Sequence, residues 1–237
     1  MIELRRGERD VVRVGHRGAA ALAPENSLAA IEAAAEHGMD AVEVDVLRRP
    51  DGALVLAHGP ALSPDAPLLE DALALAARLG LAVQLDVKLE GSAAPVAAAV
   101  RRHGLLERAF VSSFSPRTLA EFRAAEPALP RSFTYPDDRF GLSARRYLRP
   151  GVRAGLGALR AALPRRLPAW LRAVDAAAAT LNWAVVSTRA IEACHRLGAA
   201  VYVWTVNDAT LVRTLVESGA DGIITDDPRL LARTKRP

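Results

Sequence analysis

Two acidic residues lie two positions apart in residues 41–59, which read AVEVDVLRRPDGALVLAHG. Alternate side chains of a β-strand point to the same face, so Glu43 and Asp45 share one side of the strand. Like charges this close repel unless a cation or a proton lies between them. The chain then turns at RPDG and returns to deliver His58. The stretch therefore predicts a cation site next to a residue that can transfer protons.

A third carboxylate, Asp86, lies near the end of the apolar stretch AVQLDVK. Hard cations such as Mg²⁺ and Ca²⁺ prefer oxygen ligands, and Mn²⁺ is a further candidate. The single cysteine, Cys194, excludes a multi-thiolate site, and zinc more typically recruits histidines. An ion pair with a basic neighbour is the alternative for any one acid. Burying two like charges on one strand face favours the metal over that alternative.

The residues that could handle a phosphate ester come from the same part of the sequence. His16 and His58 bracket the acids and could serve as general base and acid, because the pKa of histidine suits both tasks. Arg17 and Lys88 could neutralise a phosphate. A salt bridge to Asp86 or Glu90 is the alternative for Lys88. The remaining histidines lie near the C-terminal ends of predicted helices, where the helix dipole explains them: His37, His103 and His195.

Trp204 lies between β-branched residues near the end of a predicted strand. Two interpretations remain open for this side chain. It belongs either to the hydrophobic core or to the site, where it would contact the alcohol portion of a substrate.

Valine-rich apolar runs alternate with Ala/Leu-rich helical stretches along the 237 residues. This alternation predicts a parallel sheet covered by helices, and about eight units favour a closed (β/α)₈ TIM barrel of one domain, residues 1–237. The site is then expected at the C-terminal ends of the strands. A dinucleotide-binding fold is not favoured, because GHRGAA lacks the G-x-G-x-x-G spacing. The strands are expected at residues 11–16, 41–46, 53–58, 82–88, 109–114, 130–135, 176–182, 200–206 and 222–225.

Positive charge is concentrated in one segment of a chain whose net charge is +4. Nine arginines and no acid lie between Arg139 and Arg172, interleaved with leucines. We expect residues 137–172 to form a basic amphipathic insertion or cap. Its leucines either pack on the barrel or meet an anionic membrane surface or a partner. Nucleic acid is not an expected partner, because no recognised binding motif accompanies the charge.

Neither a membrane span nor a secretion signal is predicted from the sequence. No apolar run is long enough to cross a bilayer, and the start MIELRRGERD carries charges where a signal peptide needs apolar residues. A cytoplasmic location is the resulting expectation.

The stretch GHRGAAALAPENSLAAIEAAAEHGMDAVEVDVLRRPDGALVLAHG resembles the signature of the glycerophosphodiester phosphodiesterases. In that signature HRG is followed by PEN[ST], by G-x-D-x-[IV]-E-x-D-V and by a strand ending in His. VYVWTVND and GADGIITDDP resemble the last two strands of the same family. The resemblance covers nearly the whole chain except residues 137–172. It implies a TIM barrel that hydrolyses glycerophosphodiesters to sn-glycerol 3-phosphate and an alcohol.

The resemblance also implies roles for individual residues. It places a divalent cation on the three carboxylates and the phosphate beside Arg17 and Lys88. His16 and His58 become general base and acid, and the 2-hydroxyl of the glycerol becomes the internal nucleophile that forms a cyclic phosphate. Glu25 and Asn26 belong to the motif as well, although Asn26 and Ser27 also suit a helix cap.

The sequence departs from the family pattern at two positions. The family usually has Asp after the second histidine and Glu in the third-strand metal position, where this chain has Gly59 and Asp86. The insertion that usually follows the histidine is also reduced to GPALSPDAPLLEDA. HG and DVK are similar to the related sphingomyelinase D/phospholipase D toxins. A lysophospholipase D-like enzyme acting on lysophospholipids is therefore the second hypothesis, and a catalytically silent phosphate-binding barrel is the third.

Overall fold

Strands and helices alternate along the chain in a computed structural model that describes residues 4–6, 10–59, 62–137 and 149–232 (without the side chains of 149–154). The strands β1–β9 within these residues are Val12–Gly15, Ala41–Arg48, Leu54–Leu56, Ala82–Val87, Ala109–Ser113, Arg131–Tyr135, Ala178–Asn182, Ala200–Trp204 and Gly222–Thr225. The helices α1–α7 are Leu28–Glu36, Leu69–Leu79, Ala93–Arg102, Pro116–Ala125, Arg149–Ala173, Thr188–His195 and Ala209–Glu217, and a 3₁₀ helix follows at Pro228–Leu231.

Eight of these strands form a closed parallel barrel. Their order around the barrel is β1, β9, β8, β7, β6, β5, β4 and β2, and β1 pairs with β2 to close the ring. The remaining strand, β3, is short and pairs antiparallel with the end of β2. The predicted (β/α)₈ barrel is therefore confirmed, and every parallel strand ends at the same rim.

The barrel interior changes from apolar to charged along its axis. Alternate residues of each strand point inward, so a strand contributes side chains to successive layers. The N-terminal layer is apolar, and the ring of Tyr202 packs 5.1 Å from that of Phe110 while its hydroxyl donates to the carbonyl of Leu4. The next layer carries small polar side chains, among them Ser112 and Thr180. The charged residues predicted from the sequence lie above both layers, at the C-terminal rim.

The turn after β2 delivers a histidine to this rim. Gly52 has a φ of +91°, which glycine adopts readily because it has no Cβ atom. Its amide donates to the carbonyl of Arg49. The returning β3 covers only Leu54–Leu56 of the predicted 53–58, and the amide of Ala57 still donates to the carbonyl of Asp45. His58 consequently lies beside the end of β2.

The long helix α5 covers the C-terminal part of the basic segment, whose residues 138–148 lie outside the described chain. Its buried leucines recur every four residues and join the main hydrophobic core: Leu163, Leu167 and Leu171. Arginines occupy the exposed side: Arg160, Arg165, Arg166 and Arg172. Among the helices of the described residues, none is both long enough and apolar enough to cross a membrane.

Candidate active site

One cavity of about 690 Å³ opens at the C-terminal rim of the barrel. All eight residues predicted from the sequence line it: His16, Arg17, Glu43, Asp45, His58, Asp86, Lys88 and Trp204. They come from the ends of β1, β2, β4 and β8 and from the loop after β3. The barrel thus assembles in one place residues that are up to 188 positions apart in the sequence.

Three buried carboxylates lie together on one side of the cavity. In the parallel register of β2 and β4, Asp45 is opposite Asp86, and Glu43 is opposite Gln84. One oxygen from each of the three lies within 4.8 Å of the others. Burial and the charge of Asp45 raise the pKa of Glu43 to about 7. Burial also raises the pKa of Asp86 to about 6, although Lys88 opposes that rise. The cluster is therefore short of positive charge.

Asp45 differs from the other two acids because donors surround it. Burial opposes ionisation, but the hydrogen bond with His58 and the charges of Lys88 and Arg17 hold the pKa of Asp45 well below its usual range. Its Oδ1 lies 2.6 Å from Lys88 Nζ, and its Oδ2 lies 3.0 Å from Arg17 Nε. Asp45 is consequently the fixed charge around which the rest of the site is arranged.

Asn26 holds Asp45 through both ends of its amide. Its Nδ2 donates to Asp45 Oδ2, and its Oδ1 accepts from the backbone amide of Asp45, both at 3.0 Å. The sequence suggested a helix cap for Asn26 and Ser27, and only Ser27 has that role, accepting from the amide of Ala30. Asn26 instead has a φ of +55° and is buried against the acid.

The three carboxylates fit a hard divalent cation. They supply only oxygen atoms and converge from two neighbouring strands, and burial together with repulsion from Asp45 raises the pKa values of Glu43 and Asp86. Arg17 and Lys88 contribute two positive charges against three negative ones. A bound cation would relieve this imbalance.

His16 is oriented by an acid that the sequence analysis missed. Its Nδ1 lies 2.6 Å from Asp226 Oδ1, and its Nε2 lies 3.9 Å from Glu43 Oε2. Asn207 Nδ2 donates to the other oxygen of Asp226. Burial lowers the pKa of His16, but Asp226 and Glu43 together outweigh burial and raise it. The sequence could have indicated this residue. Asp226 is two residues beyond Ile224, which points into the barrel, so strand alternation places Asp226 on the same inward face.

His58 lies beside Asp45, and its side chain is half exposed. Its Nδ1 lies 3.1 Å from Asp45 Oδ2, 2.9 Å from Arg17 Nη2 and 2.8 Å from Lys88 Nζ. Asp45 can only accept, so its contact is a hydrogen bond when Nδ1 carries a proton, whereas Arg17 and Lys88 can only donate and bond to Nδ1 when it carries none. Protonation of Nδ1 creates an imidazolium that donates to Asp45.

The turn after β1 fixes Arg17 between several acids. Its φ is +50° and that of Gly18 is +86°, which directs the backbone amide of Arg17 to Glu43 Oε2 at 2.9 Å. The guanidinium reaches both Asp45 and Glu25, the latter at 2.6 Å. A Cβ atom at Gly18 would lie 2.6 Å from the backbone of Ala30, so this turn requires glycine.

Lys88 does not make its shortest contact with the acids expected as structural partners. Its Nζ is 2.6 Å from Asp45 and 3.7 Å from Asp86. Glu90 instead pairs with Arg117 at 3.2 Å. Lys88 therefore spans two of the three clustered carboxylates.

Aromatic side chains form another wall of the cavity. Trp204 and Phe114 contact edge to face, with ring centroids 6.0 Å apart, and Trp204 Nε1 donates to the carbonyl of Thr180. Trp204 is partly buried and also lines the cavity, so it belongs both to the packed interior and to the site.

The other three histidines lie away from this cavity. His103 and His195 pair with carboxylates, at 2.5 Å from Glu70 and 2.8 Å from Asp221. His37 Nδ1 lies 2.9 Å from the carbonyl of Ala33 in its own helix. Their positions at helix ends agree with the sequence analysis, and carboxylates add to the helix dipole in two cases.

Comparison with known proteins identifies relatives of this barrel. A glycerophosphodiester phosphodiesterase from Caldanaerobacter subterraneus is 24% identical, with 94% of this chain and 97% of the relative aligned. A crystal structure of a glycerophosphodiester phosphodiesterase from Parabacteroides distasonis has a TM-score of 0.75 at 21% identity, covering 96% of this chain and 100% of the other. An Oleispira antarctica phosphodiesterase, solved with the product sn-glycerol-3-phosphate, has a TM-score of 0.72 at 20% identity, covering 95% and 96%.

The family is established by a sequence profile rather than by these structures, whose similarity shows the fold. The profile of the glycerophosphoryl diester phosphodiesterase family matches residues 16–65 and 82–230. The matched residues include the rim turn of β1, the three carboxylates and both histidines of the cavity. The enzyme class implied by the sequence motifs, a phosphodiester hydrolase, is thereby confirmed. This chain belongs to the glycerophosphoryl diester phosphodiesterase family.

Proposed function

We propose that this chain is a metal-dependent glycerophosphodiesterase that uses two histidines for proton transfer. The observation that carries the proposal is the convergence of three buried carboxylates, two histidines and two cationic side chains on one cavity. Each feature matches one need of phosphodiester hydrolysis: charge neutralisation, a general base and a general acid. The products are sn-glycerol 3-phosphate and an alcohol.

Glu43, Asp45 and Asp86 are the residues that would hold the cation, with Mg²⁺ or Ca²⁺ as the first candidates and Mn²⁺ as the next. When bound, the cation would neutralise phosphate charge and polarise the phosphoryl group. Asn26 keeps Asp45 in place for this role through its two hydrogen bonds.

His16 is the proposed general base. Because Asp226 occupies Nδ1, the proton of the neutral ring is held there and Nε2 is left free to accept. The free nitrogen would take the proton of the glycerol 2-hydroxyl as that oxygen attacks phosphorus. The P–O bond to the alcohol then breaks, and a cyclic phosphate remains.

His58 is the proposed general acid. Its imidazolium donates Nδ1–H to Asp45 and can pass the Nε2 proton to the departing alkoxide, which leaves as the neutral alcohol. Arg17 and Lys88 would contact the phosphate oxygens, and Trp204 would contact the alcohol portion. Water then opens the cyclic phosphate with the two histidine roles exchanged.

A substrate and metal panel tests this proposal. We expect the purified chain to release sn-glycerol 3-phosphate from glycerophosphocholine with one of Mg²⁺, Ca²⁺ or Mn²⁺, and to lose that activity in EDTA. His16→Ala and His58→Ala should each lower the rate by about 10²–10⁴-fold, the contribution typical of general acid–base catalysis. Metal-independent turnover, or full activity of either variant, would contradict the proposed mechanism.

The aromatic wall formed by Phe114 and Trp204 favours a second candidate, a lysophospholipase D-like reaction on lysophospholipids by the same residues. Such an enzyme would cleave lysophosphatidylcholine and leave glycerophosphocholine intact. Running both substrates in the same panel separates the two candidates.

We also propose that residues 1–237 form one domain in which 137–172 is an insertion that caps the barrel. The buried leucines of α5 support this arrangement for its described part. The exposed arginines of α5 are the surface that could contact anionic lipid. Binding of the chain to vesicles with and without phosphatidylserine tests that contact.

A further inference from the structure

The floor of the cavity carries two polar atoms that have no hydrogen-bond partner in the described part of the chain. Gln84 Oε1 and Thr134 Oγ1 are buried and unpaired within the described residues. Both residues line the cavity, and they are 1% and 4% exposed. Buried polar groups are normally hydrogen-bonded, so two buried acceptors without donors at the base of a cavity require an explanation.

The orientation of the Gln84 amide follows from its neighbours. The carboxylate of Asp86 can only accept, so the hydroxyl of Ser112 donates to it, at 2.9 Å. The remaining capacity of that hydroxyl accepts from Gln84 Nε2 at 3.0 Å. These two hydrogen bonds direct the amide nitrogen of Gln84 toward Ser112. Its Oε1 is left as an acceptor without a donor among the described residues.

Gln84 lies level with Glu43 across the β2–β4 pair and one inward-facing position below Asp45 and Asp86. Gln84 is two residues before Asp86 on β4, a rise of about 7 Å along the strand. An uncharged acceptor next to three acids cannot hold a phosphate, which belongs at the rim beside Arg17 and Lys88. A hydroxyl can donate to it, and the three-carbon glycerol chain is long enough to reach from a phosphate at the rim.

We propose that Gln84 and Thr134 bind the terminal hydroxyl of the glycerol moiety and thereby select glycerol-containing phosphodiesters. The assignment rests on the proposed function. It fixes the direction of the substrate, with glycerol toward the barrel floor and the alcohol toward the open mouth. A site built to pair a hydroxyl rejects an analogue that lacks it, because its own buried polar atoms then stay unpaired.

The test compares glycerophosphocholine with 2-hydroxypropyl phosphocholine, which keeps the attacking hydroxyl and lacks only the terminal one. We expect the wild-type chain to prefer glycerophosphocholine by at least about tenfold in kcat/KM. Thr134→Val, which keeps the shape of the side chain, and Gln84→Met should each reduce that preference at least about threefold. Equal kcat/KM values for the two substrates, or an unchanged preference in both variants, would overturn the assignment.

The chain offers a matched control at Thr118, whose Oγ1 is likewise buried and unpaired but lies in α4, away from the cavity. Thr118→Val should leave the preference at its wild-type value. Calorimetric binding of sn-glycerol 3-phosphate and of 2-hydroxypropyl phosphate gives a second measurement without turnover, in which the glycerol compound should bind more tightly. Failure to cleave either diester would contradict the proposed function, whereas equal cleavage of both contradicts only the role of the floor.

Discussion

His16 Nδ1 lies 2.6 Å from Asp226 Oδ1 in a hydrogen bond at the barrel rim. The bond joins the first strand to the last and leaves His16 Nε2 as the nitrogen that faces the carboxylates. An imidazole held in this way has a fixed tautomer and a fixed ring orientation. Several expected outcomes follow from this bond and from the contacts around it.

Asp226→Asn should change both the rate and its pH dependence. Asp226 raises the pKa of His16, so its loss lowers that pKa and moves the limb on which activity rises with pH to lower pH. We expect kcat to fall by about 10²-fold, less than the loss of up to about 10⁴-fold for removing a general base. The pH profiles of kcat and of kcat/KM together measure both effects.

The adjacent Asp227 supplies the control for this experiment. It caps the final 3₁₀ helix and contacts Arg229. Asp227→Asn should leave the pH profile in place. A profile that shifts equally in both variants would indicate a general electrostatic effect rather than a specific contact with His16.

Asn26→Ala should weaken metal binding more than it weakens the fold. Asn26 orients Asp45 through two hydrogen bonds, and loss of such a partner typically costs about 10–100-fold in metal affinity. Its neighbour gives a matched comparison, because Ser27→Ala removes a helix cap worth about 1 kcal/mol. Titration calorimetry with Mg²⁺ or Ca²⁺ should show the loss in the first variant only, and equal affinities would contradict the positioning role.

The metal-free chain should lose stability as the pH rises from about 4.5 to about 7. Burial and Asp45 raise the pKa of Glu43 to about 7, so the folded state binds a proton that the unfolded state releases near 4.5. The difference corresponds to roughly 3 kcal/mol of unfolding free energy. Denaturant unfolding in EDTA at pH 5 and pH 8 measures it.

Two variations of the same experiment locate the effect. Glu43→Gln removes one of the two acids whose pKa is raised and should reduce the dependence on pH, of which Asp86 retains a part. Addition of the divalent cation should restore the stability of the wild-type chain at pH 8 and not that of the variant. A wild-type chain with equal stability at both pH values in EDTA would contradict the role of Glu43.

Gly18→Ala should destabilise the chain by about 2 kcal/mol or more, because it combines an unfavourable φ with a clash against the backbone of Ala30. Gly198 has a similar φ of +76° and open space at the Cβ position. Gly198→Ala therefore reports the cost of the φ angle alone and should be the milder variant. Thermal unfolding of both chains makes the comparison, and equal losses would rule out the clash.

Cys194 should be inert in the folded chain. It is buried in α6, and burial followed by the charge of Asp221 raises the pKa of its thiol to about 12. Since the thiolate is the reactive form, a thiol reagent at pH 8 should label the chain only after unfolding. Rapid labelling of the native chain would contradict the burial of α6.

The sequence by itself determined the barrel and the residues that line its cavity. Alternation of apolar strands with helices is a local pattern, and so is the two-residue spacing that places Glu43 and Asp45 on one face. Strand ends are recognisable along the chain, which is why every predicted site residue lies in the cavity. The limits of the short strand β3 were less accurate, because pairing with β2 decides where it ends.

Only the tertiary structure decided which of these residues contact one another. Asp226 contacts His16 because closure of the barrel brings β9 beside β1. A local sequence pattern cannot predict this pairing, because the two strands are far apart in the sequence. Asparagine is a common residue type at helix N-caps, but the fold turns the amide of Asn26 toward Asp45. The unpaired floor atom of Gln84 likewise depends on its neighbours across the sheet. Spacing along the chain fixes which face a side chain occupies, whereas its partners are fixed by strands that are distant in sequence and adjacent in space.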